Sequence, residues 1–553
     1  MTDPLIRRSP SAHDFQLLIK RLLQAPVVRA PQQEIVYRQR RLTYRDLHAR
    51  VARLAHALTR LGVKRGDTVA VMDWDSNRYL ECFFAVPMIG AVLHTVNVRL
   101  SPEQVLYTID HAEDDFLLVN SELLPLLEQI RGRIDNVKGY VLLTDDPAAA
   151  LPPGFTGEYE ALLAAEPDQF DFPDFDEDTR ATTFYTTGTT GLPKGVYFSH
   201  RQIALHTLSV LAALGSSETH GRLHRGDVYM PITPMFHVHA WGLPYVATSL
   251  GLKQVYPGKY SPEHLLELID SEKVTFSHCV PTILHMLLRS PRSASVDLSR
   301  WKVMVGGAAM SRALCEAALA RGIDAISGYG MSETCPVLTI AHLDPEVLAG
   351  DGPTQAEVRC KTGRALPLVE LRIVDEQGAP QPHDGQATGQ LAVRAPWLTQ
   401  GYLKDEKASE RLWSGGWLHT GDVARIDTRG YVEITDRMKD VLKIGGEWVS
   451  SLELEDILSH HPGVAEVAVV GAPDPKWGER PLALVVAKPE AKARLTERDL
   501  TSHVRGYVDR GTLTKQALLL RAKLVDAIDR TSVGKVDKVT LRRKHLPLAP
   551  RGA

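Results

Sequence analysis

The sequence predicts an α/β protein in which a large N-terminal domain of several subdomains, with mostly parallel sheets, precedes a small α+β domain. Three observations support this fold class. The chain has 553 residues, and because a single core stops growing at roughly 250–300 residues, at least two domains are expected. Apolar runs alternate with amphipathic segments through most of the chain, and near Asp436 the sequence becomes dense in charge and glycine.

The composition is that of an ordinary globular protein, with 44% hydrophobic and 24% charged residues. A net charge of −3 gives no reason to expect nucleic acid or an anionic membrane as a partner. The five cysteines lack any C-x-x-C spacing, which favours reduced thiols in a cytoplasmic protein over disulfides or a zinc site. The longest apolar run, CFFAVPMIGAVL from Cys82, is too short to cross a membrane, so we expect it to start a buried helix.

The N-terminal domain contains a series of strand and helix signals. TVAVMD from Thr68 predicts a strand, and the segment from Leu42 to Gly62 predicts an amphipathic helix capped by Thr43. FLLVN, KVMVGG and DAISGYG predict short strands that end in Asn or Gly turns. Because ligands of such folds bind at the carboxyl ends of strands, the glycine turns after ATTFY, KVMV and DAIS are candidate site walls. Each taken alone could equally be a plain turn.

The segment that follows Asp436 predicts the small domain. Ser450 and Glu453 have the spacing of a helix capping box. VAEVAVVG and PLALVVAKP then predict two strands, and a further helix is expected from Thr496. The result is an α+β domain of about 110 residues, a normal size for a domain, with its boundary between Asp436 and Val441.

One loop carries chemistry that is visible without any comparison. The stretch YTTGTTGLPKGV, from Tyr185 to Val196, combines hydroxyls, bare backbone N–H groups and one cation. These groups can hold a phosphate. The stretch is not a Walker A loop, because Lys194 follows Pro193 and Gly195 stands where Ser or Thr is required. A flexible surface loop is the alternative interpretation.

Seven stretches need one common explanation: YTTGTTGLPKGV, GGAAM, GYGMSET, GWLHTGD, DRMKD, KIGGEW and DRTSVGK. In this order and spacing the chain resembles the adenylate-forming superfamily of acyl-CoA synthetases, peptide-synthetase adenylation domains and firefly luciferase, over essentially its whole length. MFHVHAWGLPY and KIGGEWVSS look most like the fatty-acyl-CoA synthetase branch, which includes bacterial medium-chain and methylmercaptopropionate ligases.

The resemblance implies a fold and a reaction. It implies an N-terminal ATP- and acyl-binding domain over 1–435, a hinge over 436–441 and a mobile C-terminal domain over 442–553. A carboxylate would attack the α-phosphate of Mg-ATP to give an acyl-adenylate and pyrophosphate. The thiol of coenzyme A would then displace AMP to give the thioester.

The resemblance also implies residue roles at the nucleotide. Phosphates would be held by Thr186, Thr187, Gly188, Thr189, Thr190, Gly191 and Lys194. The adenosine and α-phosphate would contact Gly307, Ala308, Gly328, Tyr329, Gly330, Ser332, Asp422, Arg437 and Lys439. Mg²⁺ would be bound through Thr186 and Glu333, whose oxygens suit a hard cation. Ser332 stands where the family usually has Thr, and Asp529-Arg530 replaces the usual residues ahead of the last motif.

The catalytic residues implied are Lys535, His237, Thr186 and Glu333. Lys535 would stabilise the negative charge where carboxylate and α-phosphate meet, and rotation of its domain would later withdraw it. A lone lysine in a loop is otherwise solvated surface, and the DRMKD run could be a solvated linker. The implied coenzyme A contacts are Lys443, Gly445, Gly446, Glu447 and Trp448.

The acyl pocket is implied by MFHVHAWGLPY together with the glycines of GGAAM. Its expected residues are His237, Val238, Trp241, Gly306 and Gly307, with Trp241 matching a tryptophan that closes the fatty-acid tunnel of some relatives. His237 could instead be a core histidine. A metal site at His237 and His239 is disfavoured because an H-x-H pair lacks a third ligand. No cation lies within the motif, which favours an aliphatic acid of short, medium or long chain.

Two other functions remain open at this point. A stand-alone adenylating enzyme could pass its acyl group to a carrier-protein pantetheine, although no carrier motif occurs in the chain. A non-catalytic nucleotide-binding protein is disfavoured because Lys535 and Glu333 are both present. The expected partners are a carboxylic acid, ATP and coenzyme A, and analogy with relatives suggests a homodimer.

Overall fold

The computed structural model describes residues 6, 8–186, 192–218, 220–444, 447–532 and 534–546. Residues 187–191 and 445–446, which carry several of the residues implied to bind phosphate and coenzyme A, lie outside the described residues.

The strands follow in chain order. They are β1 (Glu34–Tyr37), β2 (Arg40–Thr43), β3 (Thr68–Met72), β4 (Val92–Thr95), β5 (Phe116–Asn120), β6 (Gly139–Leu143), β7 (Gly157–Glu158), β8 (Arg180–Thr186), β9 (Lys194–Ser199), β10 (Val228–Pro231), β11 (Lys253–Tyr256), β12 (Phe276–Cys279), β13 (Lys302–Val305), β14 (Asp324–Gly330), β15 (Val337–Ile340), β16 (Arg364–Ala365), β17 (Glu370–Val374), β18 (Gly389–Arg394), β19 (Trp413–Ser414), β20 (Trp417–Ile426), β21 (Val432–Arg437), β22 (Leu442–Ile444), β23 (Glu447–Val449), β24 (Val464–Asp474), β25 (Gly478–Ala487) and β26 (Arg521–Leu524).

The helices are interleaved with these strands. They are α1 (Lys20–Arg29), α2 (Tyr44–Leu61), α3 (Asn77–Met88), α4 (Pro102–Ala112), α5 (Leu124–Glu128), α6 (Tyr159–Ala164), α7 (His200–Ser216), α8 (Val238–Trp241), α9 (Leu243–Leu250), α10 (Pro262–Ser271), α11 (Pro281–Arg289), α12 (Arg312–Leu319), α13 (Pro345–Leu348), α14 (Gly352–Cys360), α15 (Glu406–Leu412), α16 (Ser451–Ser459), α17 (Glu497–Asp509) and α18 (Lys538–His545).

Two large sheets form the first part of the chain. The seven-stranded sheet has the order β7-β6-β5-β3-β4-β8-β9 and is parallel except for β9. The nine-stranded sheet has the order β16-β15-β14-β13-β12-β10-β11-β1-β2, and its strands from β14 to β1 are parallel. The predicted strands TVAVMD, FLLVN, KVMVGG and DAISGYG are therefore confirmed as β3, β5, β13 and β14. The glycine turn expected after DAIS is wrong, because β14 continues through Gly328 to Gly330 and pairs there with β15.

A third sheet separates the two parallel sheets from the small domain along the chain. It contains β17 to β21, and these described strands pair with one another in antiparallel fashion. Its buried side chains join one core cluster with α2, α3 and the seven-stranded sheet. The sequence reading did not single out this antiparallel sheet.

The C-terminal domain is a five-stranded sheet with helices packed on it. The predicted α+β class is confirmed, and the two strands expected from VAEVAVVG and PLALVVAKP are β24 and β25. Strands β23-β22-β25-β24 run in that order and β26 pairs with β25. Ser450 accepts a hydrogen bond from the Glu453 N–H at 3.0 Å, which fixes the start of α16. The expected helix from Thr496 is confirmed as α17, where Thr496 and Asp499 form a capping box. The domain has its own buried cluster, which includes Leu454, Val469 and Val485.

Local signals explain where several helices start and stop. Thr43 and Asp46 form a capping box at the start of α2, and Gly62 ends this helix with a φ of 98°. The prediction that the run from Cys82 starts a helix was wrong. Ser76 caps α3 instead, so Cys82 lies in mid-helix, and the end of the run forms part of β4. Within the described residues no helix is both long and apolar enough to cross a membrane.

Candidate active site

The candidate site is a cavity at the carboxyl ends of β13 and β14, where parallel α/β sheets bind ligands. It contains about 370 Å³ of unfilled space, including the solvent at its mouth. Its walls are formed by His237, Val238, Trp241, Met304, Gly306, Gly307, Gly328, Tyr329, Gly330, Met331, Ser332, Pro336, Val337 and Lys535.

Two consecutive glycines, Gly306 and Gly307, form the part of the cavity wall that lies between Trp241 and Lys535. A Cβ on Gly306 would lie 2.6 Å from the Gly328 carbonyl oxygen and 3.1 Å from Cη2 of Trp241. A Cβ on Gly307 would lie 3.1 Å from Cε of Lys535, and its φ of 78° already favours glycine. Gly307 therefore faces the side chain of Lys535 with its ammonium group, and the adjacent Gly306 faces the indole of Trp241.

The loop that carries Lys535 reaches from the C-terminal domain into the N-terminal domain. Asn97 donates a hydrogen bond to Oγ of Ser532 at 3.1 Å, and Thr282 donates to the Gly534 carbonyl at 3.3 Å. Burial and the nearby Arg437 guanidinium lower the pKa of Lys535 to about 8, against the opposing pull of Asp422 and Glu333. Lys535 thus brings a positive charge into the cavity, and this charge can attract an anionic ligand.

Three connected polar side chains, those of Tyr329, Asp422 and Arg437, lie near the end of the cavity at which Lys535 is placed. The Tyr329 hydroxyl donates to Oδ2 of Asp422 at 2.6 Å. Nε of Arg437 lies 3.4 Å from Oδ1 of the same carboxylate. Burial and the Asp422 charge raise the pKa of Tyr329 well above its usual value, so its hydroxyl stays protonated. This hydrogen-bond arrangement connects β14, β20 and β21 across two sheets.

Glu333 is connected to the lysine that follows the phosphate loop. The Tyr402 hydroxyl donates to Oε1 of Glu333 at 2.7 Å, and Nζ of Lys194 lies 4.4 Å from the centre of the Tyr402 ring. Glu333 itself is only 8% exposed. Thr186 pairs in register with Lys194 on β8 and β9, so the last described residue before the loop is fixed as well.

The segment from Val238 to Trp241 is an unusual left-handed turn. The φ angles of its four residues lie between 48° and 59°, a conformation that L-residues rarely adopt consecutively. Oδ1 of Asp75 accepts from the Met235 N–H at 2.7 Å and holds the preceding loop. Such strain persists where the surroundings impose it, typically at functional sites. Here it points Val238 and Trp241 at the cavity.

His237, at the start of this turn, is half-buried and lines the cavity. Burial and the positive charges of Lys535 and Arg99 lower its pKa to about 3. His237 is therefore a neutral hydrogen-bonding group at physiological pH. It is not a buried core histidine without contact to the site.

Ten of the residues expected from the sequence line the cavity, whereas Thr186, Lys194, Glu333, Asp422 and Arg437 are not among its lining residues. All five expected acyl residues line the cavity, as do Gly328, Tyr329, Gly330, Ser332 and Lys535. Ala308 and Lys439 are exposed and are not among the lining residues. Lys443 is exposed on β22, opposite Trp448 and next to the Ile444–Glu447 pair. Thr187, Gly188, Thr189, Thr190, Gly191, Gly445 and Gly446 lie outside the described residues.

Sequence reasoning missed several residues that shape the site. Met304 was visible in KVMVGG, one strand residue before the turn, and its position next to the glycines was a usable signal. Tyr402 and Asp75 act over distances of 69 and 160 residues in the chain, and no local motif marks them.

A ligand cavity at the strand ends, a lysine delivered by a second domain and a carboxylate held by a tyrosine define an adenylate-forming enzyme. The chain belongs to the AMP-binding enzyme family: residues 23–403 match that family, and residues 453–535 match its C-terminal domain.

Relatives with known names agree with this assignment. The chain is 42% identical to a long-chain-fatty-acid–CoA ligase of Thermus thermophilus, over 91% of this chain and 90% of that protein. It is 40% identical to a 3-methylmercaptopropionyl-CoA ligase of Ruegeria pomeroyi, over 89% of each. A crystal structure of ATP-bound MatB from Rhodopseudomonas palustris has a TM-score of 0.80 and 26% identity, covering 96% of this chain and 99% of that one. The chain is accordingly an AMP-forming acid–thiol ligase.

Proposed function

We propose that this ligase activates an aliphatic carboxylic acid as its acyl-adenylate with Mg-ATP and then transfers the acyl group to coenzyme A. The observation that carries the proposal is the cavity wall at Gly306 and Gly307, which joins the Lys535 ammonium to an apolar end at Trp241. An acid bound along this wall has its carboxylate at the lysine and its tail among apolar side chains.

In the first half-reaction a carboxylate oxygen attacks the α-phosphorus, and the bond from phosphorus to pyrophosphate breaks. Both reactants are anions, so a positioned cation lowers the barrier without having to reorganise. Lys535 supplies that cation, and Asp422 accepts from the ribose hydroxyls while Tyr329 offers its ring to adenine. The neutral imidazole of His237 is placed to orient the carboxylate.

The oxygens of Glu333 and Thr186 suit Mg²⁺, which prefers hard oxygen ligands. The Tyr402 hydroxyl donates to Oε1 of Glu333, and the positive charge of Lys194 lies over the ring of the same tyrosine. A bound Mg²⁺ would offset the charge of the pyrophosphate. The residues Thr187 to Gly191 would contribute phosphate-binding N–H and hydroxyl groups.

In the second half-reaction the sulfur of coenzyme A attacks the acyl carbon and AMP leaves. Lys535 occupies the cavity in this structure, so we propose that the domain over 442–553 rotates about 436–441 before thioester formation. Asp436 accepts from the N–H of Ser451 at 2.6 Å, so the hinge is tied to the first residue of α16. The rotation would bring residues 443–448 to the site as the coenzyme A contact.

We also propose a homodimer, which rests on the likeness to relatives and on no surface of this chain. The apolar side chains Leu18, Ile19, Leu22 and Leu23 near α1 are buried within the chain itself. Light scattering would measure the mass, and a monomer would remove this part of the proposal.

The direct test measures pyrophosphate release and coenzyme A consumption with Mg-ATP over a panel of acids. The panel runs from 3-methylthiopropionate and butyrate through octanoate to palmitate, with an amino acid and an aryl acid as controls. We expect both signals with aliphatic acids. Pyrophosphate release without coenzyme A consumption would favour a carrier-protein acceptor, and the absence of both signals with every acid would contradict the proposal.

A further inference from the structure

At the apolar end of the cavity, the Trp241 side chain is backed by two further aromatic rings. The Trp241 indole lies against the imidazole of His278, with ring centres 5.1 Å apart and planes inclined by 39°. His278 in turn stacks on Tyr229, with ring centres 5.8 Å apart and planes inclined by 13°. These three side chains form a ring stack (Trp241, His278, Tyr229) that begins at the cavity wall and continues into the protein.

His278 and Tyr229, the two rings of the stack that do not line the cavity, are fixed by a hydrogen bond and by burial. The Tyr229 hydroxyl and Nε2 of His278 are hydrogen-bonded at 2.8 Å, and neither residue has measurable exposure. Burial lowers the pKa of His278 to about 3, so the imidazole is neutral and the stack does not change with pH in the physiological range. Trp241 and Tyr229 also share one packed hydrophobic cluster with Phe276 and Met304.

Strand register places His278 beside a wall of the cavity. On the parallel strands β12 and β13, His278 is paired with Met304, which lines the cavity. Paired residues of neighbouring strands point to the same face of a sheet. His278 therefore lies on the same face of the sheet as Met304 and in contact with the Trp241 indole, but is not itself a lining residue of the cavity.

We infer that the ring stack closes the acyl pocket, that His278 is the residue that sets its depth, and that the substrates are short-chain aliphatic monocarboxylic acids. The inference rests on the proposed function and names its substrate class. Each additional methylene that a pocket can bury strengthens binding roughly fourfold. A longer acyl chain does not gain this binding free energy here, because it must displace the Trp241 indole, which packs against the His278 imidazole.

The test compares kcat/KM for thioester formation with butyrate, hexanoate, octanoate and palmitate in the full-length enzyme. The wild type should prefer butyrate or hexanoate to octanoate. His278→Ala should raise the ratio of octanoate to butyrate at least about tenfold, mainly through a lower KM for octanoate, since small changes in pocket size discriminate by roughly 10–200-fold. A general loss of stability would lower both rates and leave this ratio unchanged.

His200→Ala is the matched control. His200 is another fully buried histidine, held by the Ile19 N–H at 3.2 Å and the Phe175 ring, and it does not line the cavity. Its ratio should equal that of the wild type. Tyr229→Phe keeps the ring but removes the hydrogen bond to His278, and should shift the ratio in the same direction by a smaller factor. This variant carries the test if His278→Ala does not fold.

The possible outcomes distinguish a failure of the chain-length inference from a failure of the proposed function. A wild type that forms thioester but prefers octanoate or palmitate to butyrate overturns the inference and leaves the proposed function standing. The same follows if His278→Ala and Tyr229→Phe both match His200→Ala. A wild type that forms no thioester from any acid overturns the proposed function itself.

Discussion

At the scale of single residues, Lys535 is the group on which the first half-reaction depends most directly. Its side chain lines the cavity and approaches the Gly307 wall. We expect Lys535→Ala to slow acyl-adenylate formation by roughly 10²–10³-fold, the usual cost of removing a positioned charge-stabilising group. Thioester formation from supplied acyl-adenylate should keep its rate, because that step takes place after the lysine has withdrawn.

Single-turnover pyrophosphate release and thioester formation, measured separately, check this prediction. Lys492→Ala is a suitable control, since Lys492 is an exposed lysine of the same domain whose partner is Asp526. Equal slowing of both half-reactions by Lys535→Ala would contradict the proposed withdrawal of the lysine.

The lowered pKa of Lys535 predicts a pH dependence. Its pKa is about 8 in the folded protein, so the cation is present below that pH and is lost as the pH rises through it. The kcat/KM of adenylation should therefore fall above about pH 8, with a slope of one proton. His237, with a pKa of about 3, adds no inflection in the assay range.

Lys535→Arg provides the check, because a guanidinium stays charged in proteins. Whatever its absolute rate, this variant should lack the alkaline decline of the wild type. A decline at the same pH in both enzymes would assign the titration to another group.

At the scale of elements, the turn after β13 approaches the backbone of β14 so closely that only glycine fits at Gly306. A Cβ on Gly306 would lie 2.6 Å from a backbone oxygen of Gly328, which cannot move aside as a flexible side chain could. We expect Gly306→Ala to cost about 1–3 kcal/mol of stability, as overpacking does, and to lower adenylation at least about tenfold by shifting the wall.

Gly215 offers the matched comparison. It lies inside α7, and a Cβ there would meet nothing within 4 Å. Gly215→Ala should leave the activity unchanged and stabilise the helix by up to about 1 kcal/mol. Thermal melts and adenylation rates of both variants check the pair, and an active, fully stable Gly306→Ala enzyme would refute the close-approach argument.

The helices and strands also show which structural features were predictable from the sequence. The ends of α2 were predictable because Thr43, Asp46 and Gly62 act within one turn of the helix. The start of α3 was not predicted from its apolar run, because the signal lay earlier, in the cap at Ser76. Gly306 and Gly328 were predicted as site walls because strand ends of parallel sheets meet at one edge. Both line the cavity, but Gly328 belongs to β14 and not to the expected turn.

The parts that could not be predicted depend on pairs distant in sequence. His278 and Tyr229 are 49 residues apart, and each belongs to a strand whose local sequence indicates only burial. The left-handed turn at Val238 to Trp241 contains no glycine, so nothing in its sequence indicates positive φ angles. Its conformation is imposed by contacts such as that between Asp75 and Met235.

At the scale of the whole molecule, the two domains meet through contacts that accompany the position of Lys535 in the site. Asn97 of the N-terminal domain contacts Ser532, three residues before the lysine, at 3.1 Å. The N–H of Arg312 donates to Oδ1 of Asp456 on α16 at 3.2 Å. If the small domain must rotate for the second half-reaction, breaking these contacts is part of each turnover.

Joining Asn97 to Ser532 covalently should therefore stop the cycle halfway. In the variant Asn97→Cys/Ser532→Cys, a mild oxidant is used to join these two hydrogen-bonded positions by a disulfide, and its formation is verified by thiol titration. We expect the oxidised enzyme to release one equivalent of pyrophosphate and retain acyl-adenylate, without forming thioester. Reduction should restore thioester formation, and each single-cysteine variant should be insensitive to the oxidant. Thioester formation at an unchanged rate in the cross-linked enzyme would show that Lys535 need not leave the site, and that the domain rotation is not required.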